Sequence, residues 1–458
     1  MEETFSSVNG NRTKSTVNLI TPNNGFLGDD ITTATNAGIY RFGQKGELQF
    51  DFRTGPTQWL DGNSVFFEVR DFLCASATNG VCDANTPISR SWNHVSALFS
   101  NMIIELNDVQ VENIALLSET DSAVKKASYS QSFLDSFGMV QNLQSYATRI
   151  TDAQSTIYRS FLWHPDASSV FTHQRIPPNC KVRVRLQPNP QYQYRAVESQ
   201  NAVNPSIVGG PANATYPVLG AGVLIAGVAN VSNNTPANIQ FKYGVADIKM
   251  YATTVEADCI KPGETYVMDL RPWKLIENQY QGGQDTKTVD IPHTTYMLGF
   301  CTTSAYKNGQ GATNPAIGPF VDPPTEFREL RTRTDLVSSY QLTYAGQNYP
   351  EYVPQMINTT TEKSGFQREF MLSYVANNMN FDDAGTFSYT NWLGSPLFLH
   401  PVVKRSDDKS LSCKLQLTSA SGLTLNSNYV MIVCQYQKYC SIRYNELGNV
   451  EFVKPENV

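Results

Sequence analysis

The sequence predicts an all-β protein that is divided into two domains. With 458 residues, the chain exceeds the size that a single hydrophobic core usually serves, so two domains are the default expectation. Aromatic residues make up 11% of the chain and charged residues only 17%, and there are 29 glycines and 24 prolines. This balance favours many short strands joined by turns over a bundle of helices.

Alternation of apolar and polar side chains predicts individual strands. The clearest strand is CKVRVRL, from Cys180 to Leu186, in which every second residue is apolar. A period of two is typical of a strand with one buried face. The run NSVFFEV, which starts at Asn63, alternates in the same way. In the first of these strands, we expect the inward residues to be Cys180, Val182, Val184 and Leu186.

Two internal matches indicate that one building block occurs twice. SNMIIELND, from Ser100, aligns with SSYQLTYAG, from Ser338, since both are apolar strands that enter a tight turn. CKVRVRLQ, from Cys180, aligns with CKLQLT, from Cys413, at a similar offset. Two matches in the same order support duplication more strongly than either match alone.

The segments between these strands set the expected domain boundaries. Mixed three- and four-residue spacing of apolar side chains over residues 114–146 predicts one or two short helices. A change of strand phase near Gly244 predicts a β-bulge.

We expect an N-terminal arm over residues 1–38, a first domain over 39–258 with a long loop at 188–236, a second domain over 259–446, and a C-terminal tail over 447–458.

The long loop at 188–236 contains an apolar stretch that has to be covered, formed by Val223, Leu224 and Ile225. A loop of this length is usually functional or intermolecular, because compact domains rarely need one. Two interpretations are equally open: the stretch packs on its own domain, or it packs on a neighbouring subunit. These three residues are therefore the candidate subunit interface.

Charge and composition bear on the partners of the chain. The net charge of −6 gives no electrostatic footprint for nucleic acid, so we expect no sequence-specific nucleic-acid binding. Local basic groups, Arg183 with Arg185 and the group around Lys404, are either phosphate contacts or a solvated sheet face. The N-terminal residues lack the apolar core of a signal peptide, and the longest apolar run, from Val218, is too short to span a bilayer.

Cysteine spacing and the known catalytic motifs point away from redox chemistry and catalysis. The eight cysteines are widely spaced without a CxxC pair, which favours buried reduced thiols over a disulfide scaffold. The sequence has no P-loop, G-x-S-x-G elbow or H-E-x-x-H helix, and its five histidines are scattered. The acidic pairs Asp382-Asp383 and Asp407-Asp408 lack the converging oxygen ligands that a metal needs. We therefore expect no enzymatic activity, no catalytic residues, and no cofactor or metal.

The order of these elements resembles a known family. NSVFFEV, HVSALFSNMIIELNDVQV, a helical crossing and CKVRVRLQP resemble the first jelly roll of double jelly-roll major capsid proteins from virophages, polinton-like viruses and Polintons, with adenovirus hexon as a distant relative. DIPHTTYMLGF with the later dipeptide Asn314-Pro315, and YQLTYAGQNYP with Gly346 and Pro350, are similar to the second. The chain departs from the family where Ala-Ile-Gly separates that dipeptide from Phe320.

The resemblance, which extends from about Ile39 to Tyr444, implies a fold and a function. The implied fold is two tandem eight-stranded antiparallel jelly-roll sandwiches with short helices in the loops between strands. The implied function is that of a major capsid protein, whose homotrimeric, pseudo-hexagonal capsomers tile the icosahedral capsid of a double-stranded DNA virus. The implied partners are neighbouring capsomers, penton proteins and minor cement proteins. The implied location is the virion capsid, assembled inside the host cell.

A second function class also fits the residues. A carbohydrate-binding tandem β-sandwich, such as a fibre or lectin-like protein, would also be rich in strands, acidic and without catalytic motifs. Exposed aromatic side chains in the loops, together with glycan binding by the isolated monomer, would favour this alternative.

Overall fold

The structure is a computed structural model with side chains. The residues that it describes are 2–6, 12–23, 42, 46–76, 88–129, 131–143, 158–173, 175–189, 196–199, 217–219, 225–227, 240–257, 260–279, 284–289, 294–303, 339–344, 347–349, 367, 370–375, 397–401, 413–418 and 428–457.

Strands dominate the described chain. The strands of the first half are β1 (Glu2–Ser6), β2 (Arg12–Ile20), β3 (Leu48–Arg53), β4 (Gln58–Ser76), β5 (Ile88–Arg90), β6 (Phe99–Leu106), β7 (Val109–Ala115), β8 (Tyr158–Trp163), β9 (Arg175–Ile176), β10 (Lys181–Pro188), β11 (Val197–Ser199), β12 (Pro217–Leu219), β13 (Ile225–Gly227) and β14 (Gln240–Glu256). The strands of the second half are β15 (Thr265–Leu270), β16 (Trp273–Gln279), β17 (Gln284–Val289), β18 (Thr294–Thr303), β19 (Ser339–Tyr344), β20 (Gln347–Tyr349), β21 (Phe398–Pro401), β22 (Cys413–Thr418), β23 (Asn428–Tyr436), β24 (Lys438–Tyr444) and β25 (Val450–Asn457).

The described residues of the first half include four helices of four or more residues. They are α1 (His94–Ala97), α2 (Leu117–Ser128), α3 (Gln131–Gln141) and α4 (Ser169–His173). Helices α2 and α3 lie within residues 114–146, so the predicted helices between strands are confirmed. A further helical segment covers residues 370–375 in the second half.

The two halves share one strand order. In the first half, one sheet follows the order β2-β14-β4-β8 and the other follows β3-β10-β6-β7. In the second half, the corresponding sheets are β16-β23-β18-β21 and β17-β22-β19-β20. When only the eight strands named for each half are numbered in chain order, both halves read first-eighth-third-sixth and second-seventh-fourth-fifth. This is the connectivity of a jelly roll, and all of its pairs are antiparallel.

The internal sequence matches occupy equivalent strands of the two jelly rolls. SNMIIELND contains most of β6 and its turn, and SSYQLTYAG contains β19; in the eight-strand numbering, both are fourth strands. CKVRVRLQ forms β10 and CKLQLT forms β22, which are the seventh strands. The structural equivalence of both pairs supports the predicted duplication.

The core of the first jelly roll lies between its two sheets. The rings of Phe50 on β3 and Phe67 on β4 meet edge to face with centroids 5.4 Å apart, which joins one sheet to the other. Their contact continues through Trp163 on β8, whose ring centroid lies 5.4 Å from that of Phe67. On β10, the side chains predicted to face inward are all fully buried: Cys180, Val182, Val184 and Leu186.

The long strand β14 carries the predicted bulge. Its register against β4 shifts between Val245 and Asp247, two residues after the expected position at Gly244. On either side of the shift, Tyr243 and Ile248 are both buried although their positions have opposite parity. The bulge therefore restores the inward direction of the apolar side chains.

Within the second jelly roll, β23 is apolar on both faces. The consecutive residues Met431, Ile432, Val433 and Cys434 are all fully buried. A strand with two buried faces must be covered on each side. At the neighbouring strand β21, the backbone N–H of Leu399 bonds to the hydroxyl of Ser373 in the 370–375 helix, which ties that helix to this sheet.

A third sheet joins the two ends of the second half to the first jelly roll. Strands β15, β24 and β25 form a three-stranded antiparallel sheet. Its inner residues belong to the same hydrophobic core as the first jelly roll; they are Met268, Leu270, Cys440, Ile442, Tyr444 and Val453. Strands β15 and β24 lie within residues 259–446 but pair with neither sheet of the second jelly roll. After β23 the chain leaves that sheet through Gln437 and packs on the first half instead.

The N-terminal segment differs from the expected arm. Strand β2 pairs with β14 from Ile20–Met250 to Ser15–Val255, so the first jelly roll begins inside residues 1–38. Its sequence hides the strand because the polar Asn18 points inward, where its amide bonds to the carbonyl of Ala252. The apolar Leu19 points outward and is 56% exposed.

The C-terminal segment differs from the expected tail. Strand β25 pairs with β24 over almost its whole length, after a turn at residues 445–449. The side chain of Asn445 accepts backbone bonds from Leu447 and Asn449, and Gly448 supplies the positive φ of 76° that the turn requires. The pattern is weak because, among residues 450–456 of β25, Val453 alone is buried.

Short strand pairs occur within the predicted loop at 188–236. Strand β11 pairs with β5, and β12 pairs with β13. Of the candidate interface residues, Val223 and Leu224 lie outside the described residues, and Ile225 is the first residue of β13. Their role at a subunit interface stays a prediction.

Candidate functional site

The most distinctive chemical feature of the described residues is a cluster of buried polar side chains on the first jelly roll. It joins the helices α1, α2 and α3 to strands β4 and β8. Its members are Asp71, Arg90, Asn93, His94, Asp121, Lys125, Tyr129, Asn142, His164 and Asp166, here called the buried polar cluster.

One half of the buried polar cluster is built around Asp71 on β4. The Nε of Arg90 donates to both carboxylate oxygens at 2.8 and 2.9 Å, and the Nη2 of Arg90 lies 2.7 Å from Oδ1. The Nε2 of His94 lies 3.0 Å from Oδ2. Burial raises the pKa of Asp71, but the charge of Arg90 and the bond from His94 outweigh it and hold that pKa below its usual value. Asp71 is therefore an ionised carboxylate inside the protein.

The other half is centred on Asp121 and Lys125, one turn apart on α2. Lys125 Nζ lies 2.6 Å from Asp121 Oδ2 and donates to the carbonyl of His164 at 2.7 Å. The same carboxylate oxygen accepts the indole N–H of Trp163 at 2.9 Å. Both charged side chains are completely buried. The ion pair thus fixes α2 to β8 and to the segment that follows it.

Asp166 extends this half toward α3. Its carboxylate accepts the phenol of Tyr129 at 2.6 Å and lies 3.3 Å from Lys125 Nζ. Burial alone would raise the pKa of Asp166. The charges of Lys125 and His164 have the larger effect, so this pKa lies well below its usual range. The same contact and burial raise the pKa of Tyr129 well above its ordinary value. The phenol therefore stays protonated and acts as a donor.

Asn93 connects the two halves. It has a left-handed backbone conformation, with φ of 54°, just before α1. Its side-chain amide donates to Asp121 at 3.0 Å and to Ser122 at 2.9 Å. Asparagine is among the residues that adopt this conformation most readily, because its short polar side chain bonds locally.

A separate carboxylate, Glu112 on β7, holds the start of α4. Its oxygens accept the hydroxyl of Ser168 at 2.7 Å, the hydroxyl of Ser169 at 3.1 Å and the backbone N–H of Ser169 at 3.0 Å. Burial raises the pKa of Glu112, although these bonds oppose the rise. The arrangement positions the turn between β8 and β9 against the second sheet.

The chemistry of the buried polar cluster is structural. Both ring nitrogens of His94 are engaged, by Asp71 and by Asn142, and the ring is completely buried. A base in this position has no access to a substrate from solvent. Within the described ranges, no group of three or more His, Cys, Asp or Glu side chains is placed to hold a metal ion.

The outward arginines of β10 belong to a ladder of ion pairs. Arg183 bonds to Asp51 at 2.8 Å, to Glu105 at 3.2 Å and to Asp108 at 2.7 Å. Arg185 pairs with Glu105 at 2.7 Å. The bond to Asp51 raises the pKa of Arg183. Because carboxylates pair with both guanidinium groups, this surface is a salt-bridged sheet face. It has no excess of positive charge that would bind phosphates.

The three-stranded sheet is fixed to the first jelly roll by polar contacts as well as apolar ones. The phenol of Tyr444 donates to the carbonyl of Pro178 at 2.9 Å, and Lys438 Nζ donates to the carbonyl of Val111 at 2.8 Å. The side-chain amide of Asn179 donates to the carbonyl of Gly448 at 2.8 Å. These bonds join residues that are distant in sequence, so the C-terminal strands brace the first jelly roll.

The thiols that the structure describes support the predicted reduced cysteines. Cys180, Cys434 and Cys440 are free and buried. Burial raises the pKa of Cys180 to about 12 and that of Cys440 to about 11. Thiols with such values are protonated at neutral pH and react slowly.

Sequence reasoning missed the buried polar cluster. Its members are spread from β4 to the end of β8, and no local spacing brings Asp71, Lys125 and Asp166 together. The one available signal was charge inside apolar runs, such as Asp71 between Arg70 and Phe72 in the NSVFFEVRDFL strand. Two of the five scattered histidines, His94 and His164, are hydrogen-bonded to the carboxylates of Asp71 and Asp166.

No family model and no curated protein matches the sequence. A chain in the cryo-EM structure of the Sputnik virophage superposes with a TM-score of 0.57 at 12% identity, covering 96% of this chain and 88% of that one. PBCV-1 VP54, fitted into a reconstruction of the Sputnik virophage, gives a TM-score of 0.51 at 8% identity, covering 98% and 100%. The chain has the fold of these virus proteins.

This likeness agrees with the predicted fold class over nearly the whole chain. The all-β prediction is confirmed, and the strand order of both halves accounts for the similarity. None of the described helices has the length and apolar character that are needed to cross a membrane.

Proposed function

We propose that this protein is the major capsid protein of a double-stranded DNA virus and that it forms homotrimeric, pseudo-hexagonal capsomers. The observation that carries the proposal is the repeated strand order of two jelly rolls in a chain whose fold matches a chain of the Sputnik virophage along 96% of its length. The sequence resemblance to double jelly-roll capsid proteins leads independently to the same function.

The duplication gives the proposal a geometric reason. Three copies of a chain with two similar sandwiches place six similar sandwiches around one threefold axis. Such a particle has a nearly hexagonal outline and can pack against six neighbours in a closed shell. Closed cyclic symmetry is also the usual form of homo-oligomers.

Contacts within a trimer should be stronger than contacts between neighbouring capsomers. Within a trimer, contacts should be large and apolar, like obligate interfaces in general. Between capsomers they should be smaller and more polar, so that misplaced capsomers dissociate during growth. Val223, Leu224 and Ile225 remain our candidates for the apolar contact within the trimer.

The proposal includes partners, location and domain boundaries. The partners are neighbouring capsomers, penton proteins and minor cement proteins, and the location is the capsid of the virion. In this assignment the chain has a structural role and no enzymatic activity. We propose that the first jelly roll starts at β2, that the second runs from β16 to β23, and that the three-stranded sheet between and after them belongs to the first.

Native mass spectrometry of the recombinant chain tests the proposal. We expect the main species to have three times the mass of one chain and to persist on dilution, because obligate interfaces are extensive. A chain that is monomeric at all concentrations would contradict the proposal. Glycan binding by such a monomer would favour the carbohydrate-binding alternative instead.

A further inference from the structure

The contact between His94 and Asn142 fixes the protonation state of a completely buried imidazole. Asn142 Nδ2 lies 2.5 Å from the backbone carbonyl oxygen of Ser91 and 3.0 Å from His94 Nδ1. A carbonyl oxygen can only accept, so the group that faces it must be the amide nitrogen of Asn142. That nitrogen therefore also donates to His94 Nδ1, which must carry no proton.

The other ring nitrogen then carries the single proton of the imidazole. His94 Nε2 lies 3.0 Å from Asp71 Oδ2 and donates to it. A second proton on Nδ1 would place an N–H against the N–H₂ of Asn142. Rotation of the amide would not relieve this conflict, because it would bring Asn142 Oδ1 against the carbonyl of Ser91.

Asn142 also terminates helix α3. Its φ of 60° ends the helix in the left-handed conformation. Its carbonyl accepts the backbone N–H of Asn93 at 3.2 Å, and the indole of Trp92 donates to the carbonyl of the next residue, Leu143, at 3.0 Å. The C-terminal end of α3 is thus attached to the segment that contains His94.

We propose that His94 and Asn142 form an acid-sensitive latch that holds the C-terminal end of α3 on the first jelly roll. With His94 neutral, the latch is closed. With His94 protonated, the Asn142 contact is lost and this end of the helix is released. Release would uncover the small apolar cluster of Trp92, Leu134 and Leu143 beneath α3.

The charged groups around His94 come from several elements. Asp71 on β4 faces the ring directly, and Arg90 on β5 neutralises that carboxylate through two bonds. From α2, Asp121 and Lys125 act through Asn93 as a closed ion pair. Two aromatic rings of the described chain also face it: Phe161 on β8, with ring centroids 4.5 Å apart, and Tyr243 on β14, at 6.5 Å. Because Arg90 shares the carboxylate of Asp71, the attraction of that carboxylate for a second proton on His94 is reduced, and the N–H₂ of Asn142 opposes that proton directly.

The direction of the pH effect follows from this geometry. The imidazole is neutral in the closed state and takes up a proton in the open state, where it behaves like a solvated histidine with a pKa of about 6.5. The closed state is therefore most stable above about pH 6.5 and loses stability as the pH falls below that value. The ratio of closed to open molecules then falls by up to about tenfold for each pH unit.

Hydrogen–deuterium exchange of the full-length protein tests the latch. At about pH 7.5 and about pH 5.5, exchange rates corrected for their intrinsic pH dependence are compared for the peptide that covers residues 131–143. In the wild-type chain we expect the corrected rate to rise by up to about tenfold at the lower pH. In Asn142→Gly, which keeps the positive φ but has no side-chain amide, we expect the rate to be high at both pH values.

Two histidine variants complete the experiment. His94→Gln removes the titrating group, so the pH step should disappear. His164→Gln is the matched control, because His164 is also buried and bonded to Asp166 but does not contact Asn142. In this variant the pH-dependent step in the exchange rate of residues 131–143 should persist. If His94→Gln does not fold, Asn142→Gly carries the test. The proposal is overturned if the wild-type rate is the same at both pH values, or if Asn142→Gly keeps the wild-type step.

Discussion

The phenol of Tyr444 donates a hydrogen bond of 2.9 Å to the backbone carbonyl of Pro178, 266 residues earlier in the chain. The same oxygen lies 4.0 Å from the thiol of Cys180 at the start of β10. Through this contact the C-terminal strands close over the core of the first jelly roll. The first jelly roll is therefore completed only when the end of the chain is in place.

Replacement of Tyr444 by Phe tests this closure. The variant keeps the ring but leaves the buried carbonyl of Pro178 without this donor, so we expect a loss of about 1–3 kcal/mol in the free energy of unfolding. Urea titration followed by fluorescence measures the change. Tyr439→Phe, on the same strand but facing a half-buried environment, is the control and should cost less than about 1 kcal/mol. Equal losses of unfolding free energy in both variants would show that the bond to Pro178 stabilises the protein no more than the hydroxyl of Tyr439 does.

The alternation on β10 can be tested with a pair of neighbouring residues. Val184 is fully buried, so Val184→Asp places an unpaired carboxylate in the core and should cost about 3–5 kcal/mol or prevent folding. Arg183→Gln removes only half-exposed ion pairs and should cost about 1 kcal/mol or less. Soluble yield and thermal unfolding distinguish them. Similar behaviour of the two variants would contradict the assigned inward face.

The buried ion pair of α2 leads to a third prediction. Lys125→Met leaves the carboxylates of Asp121 and Asp166 without their shared cation and should destabilise the protein by about 3–5 kcal/mol. Lys249→Met is the control, since Lys249 pairs with Asp247 on the outer face of β14, and it should cost about 1 kcal/mol or less. Chemical denaturation of both variants measures the difference, and a mild effect for Lys125→Met would mean that the cluster relaxes around the lost charge.

Thiol reactivity gives a prediction without mutation. Because burial raises the pKa of Cys180 to about 12 and that of Cys440 to about 11, both thiols are protonated at mildly alkaline pH. We expect alkylating reagents to leave these two cysteines unmodified in the native protein and to modify them after denaturation. Peptide mass spectrometry identifies the sites. Rapid native modification of either thiol would show that this region opens readily.

Periodicity was a good guide wherever burial is one-sided. It located β10, the two helices between β7 and β8, and the bulge in β14, because in each case apolar side chains face one core. It failed for β2, where Asn18 faces inward and Leu19 faces solvent, and for β25, where Val453 is the one buried side chain among residues 450–456. Strand β25 is the edge of its sheet, and β2 is separated from the edge of its sheet only by β1. Both strands contribute little to the core, so their sequences contain little of the pattern.

The buried polar cluster could not be predicted for a different reason. Asp71 and Arg90 are separated by 19 positions and Lys125 and His164 by 39, and only the folded chain brings each pair into contact. The sequence resemblance supplied the jelly-roll fold, but that likeness concerns element order and does not extend to the side chains that connect helices to sheets. Residues of this kind are found only once tertiary contacts are known.

Imaging of the purified recombinant chain by single-particle cryo-EM tests the central claim most directly. We expect particles with threefold symmetry in which six jelly rolls, two from each chain, form a nearly hexagonal ring. Particles that contain a single chain, or oligomers without a threefold axis, would contradict the assignment as a capsid protein.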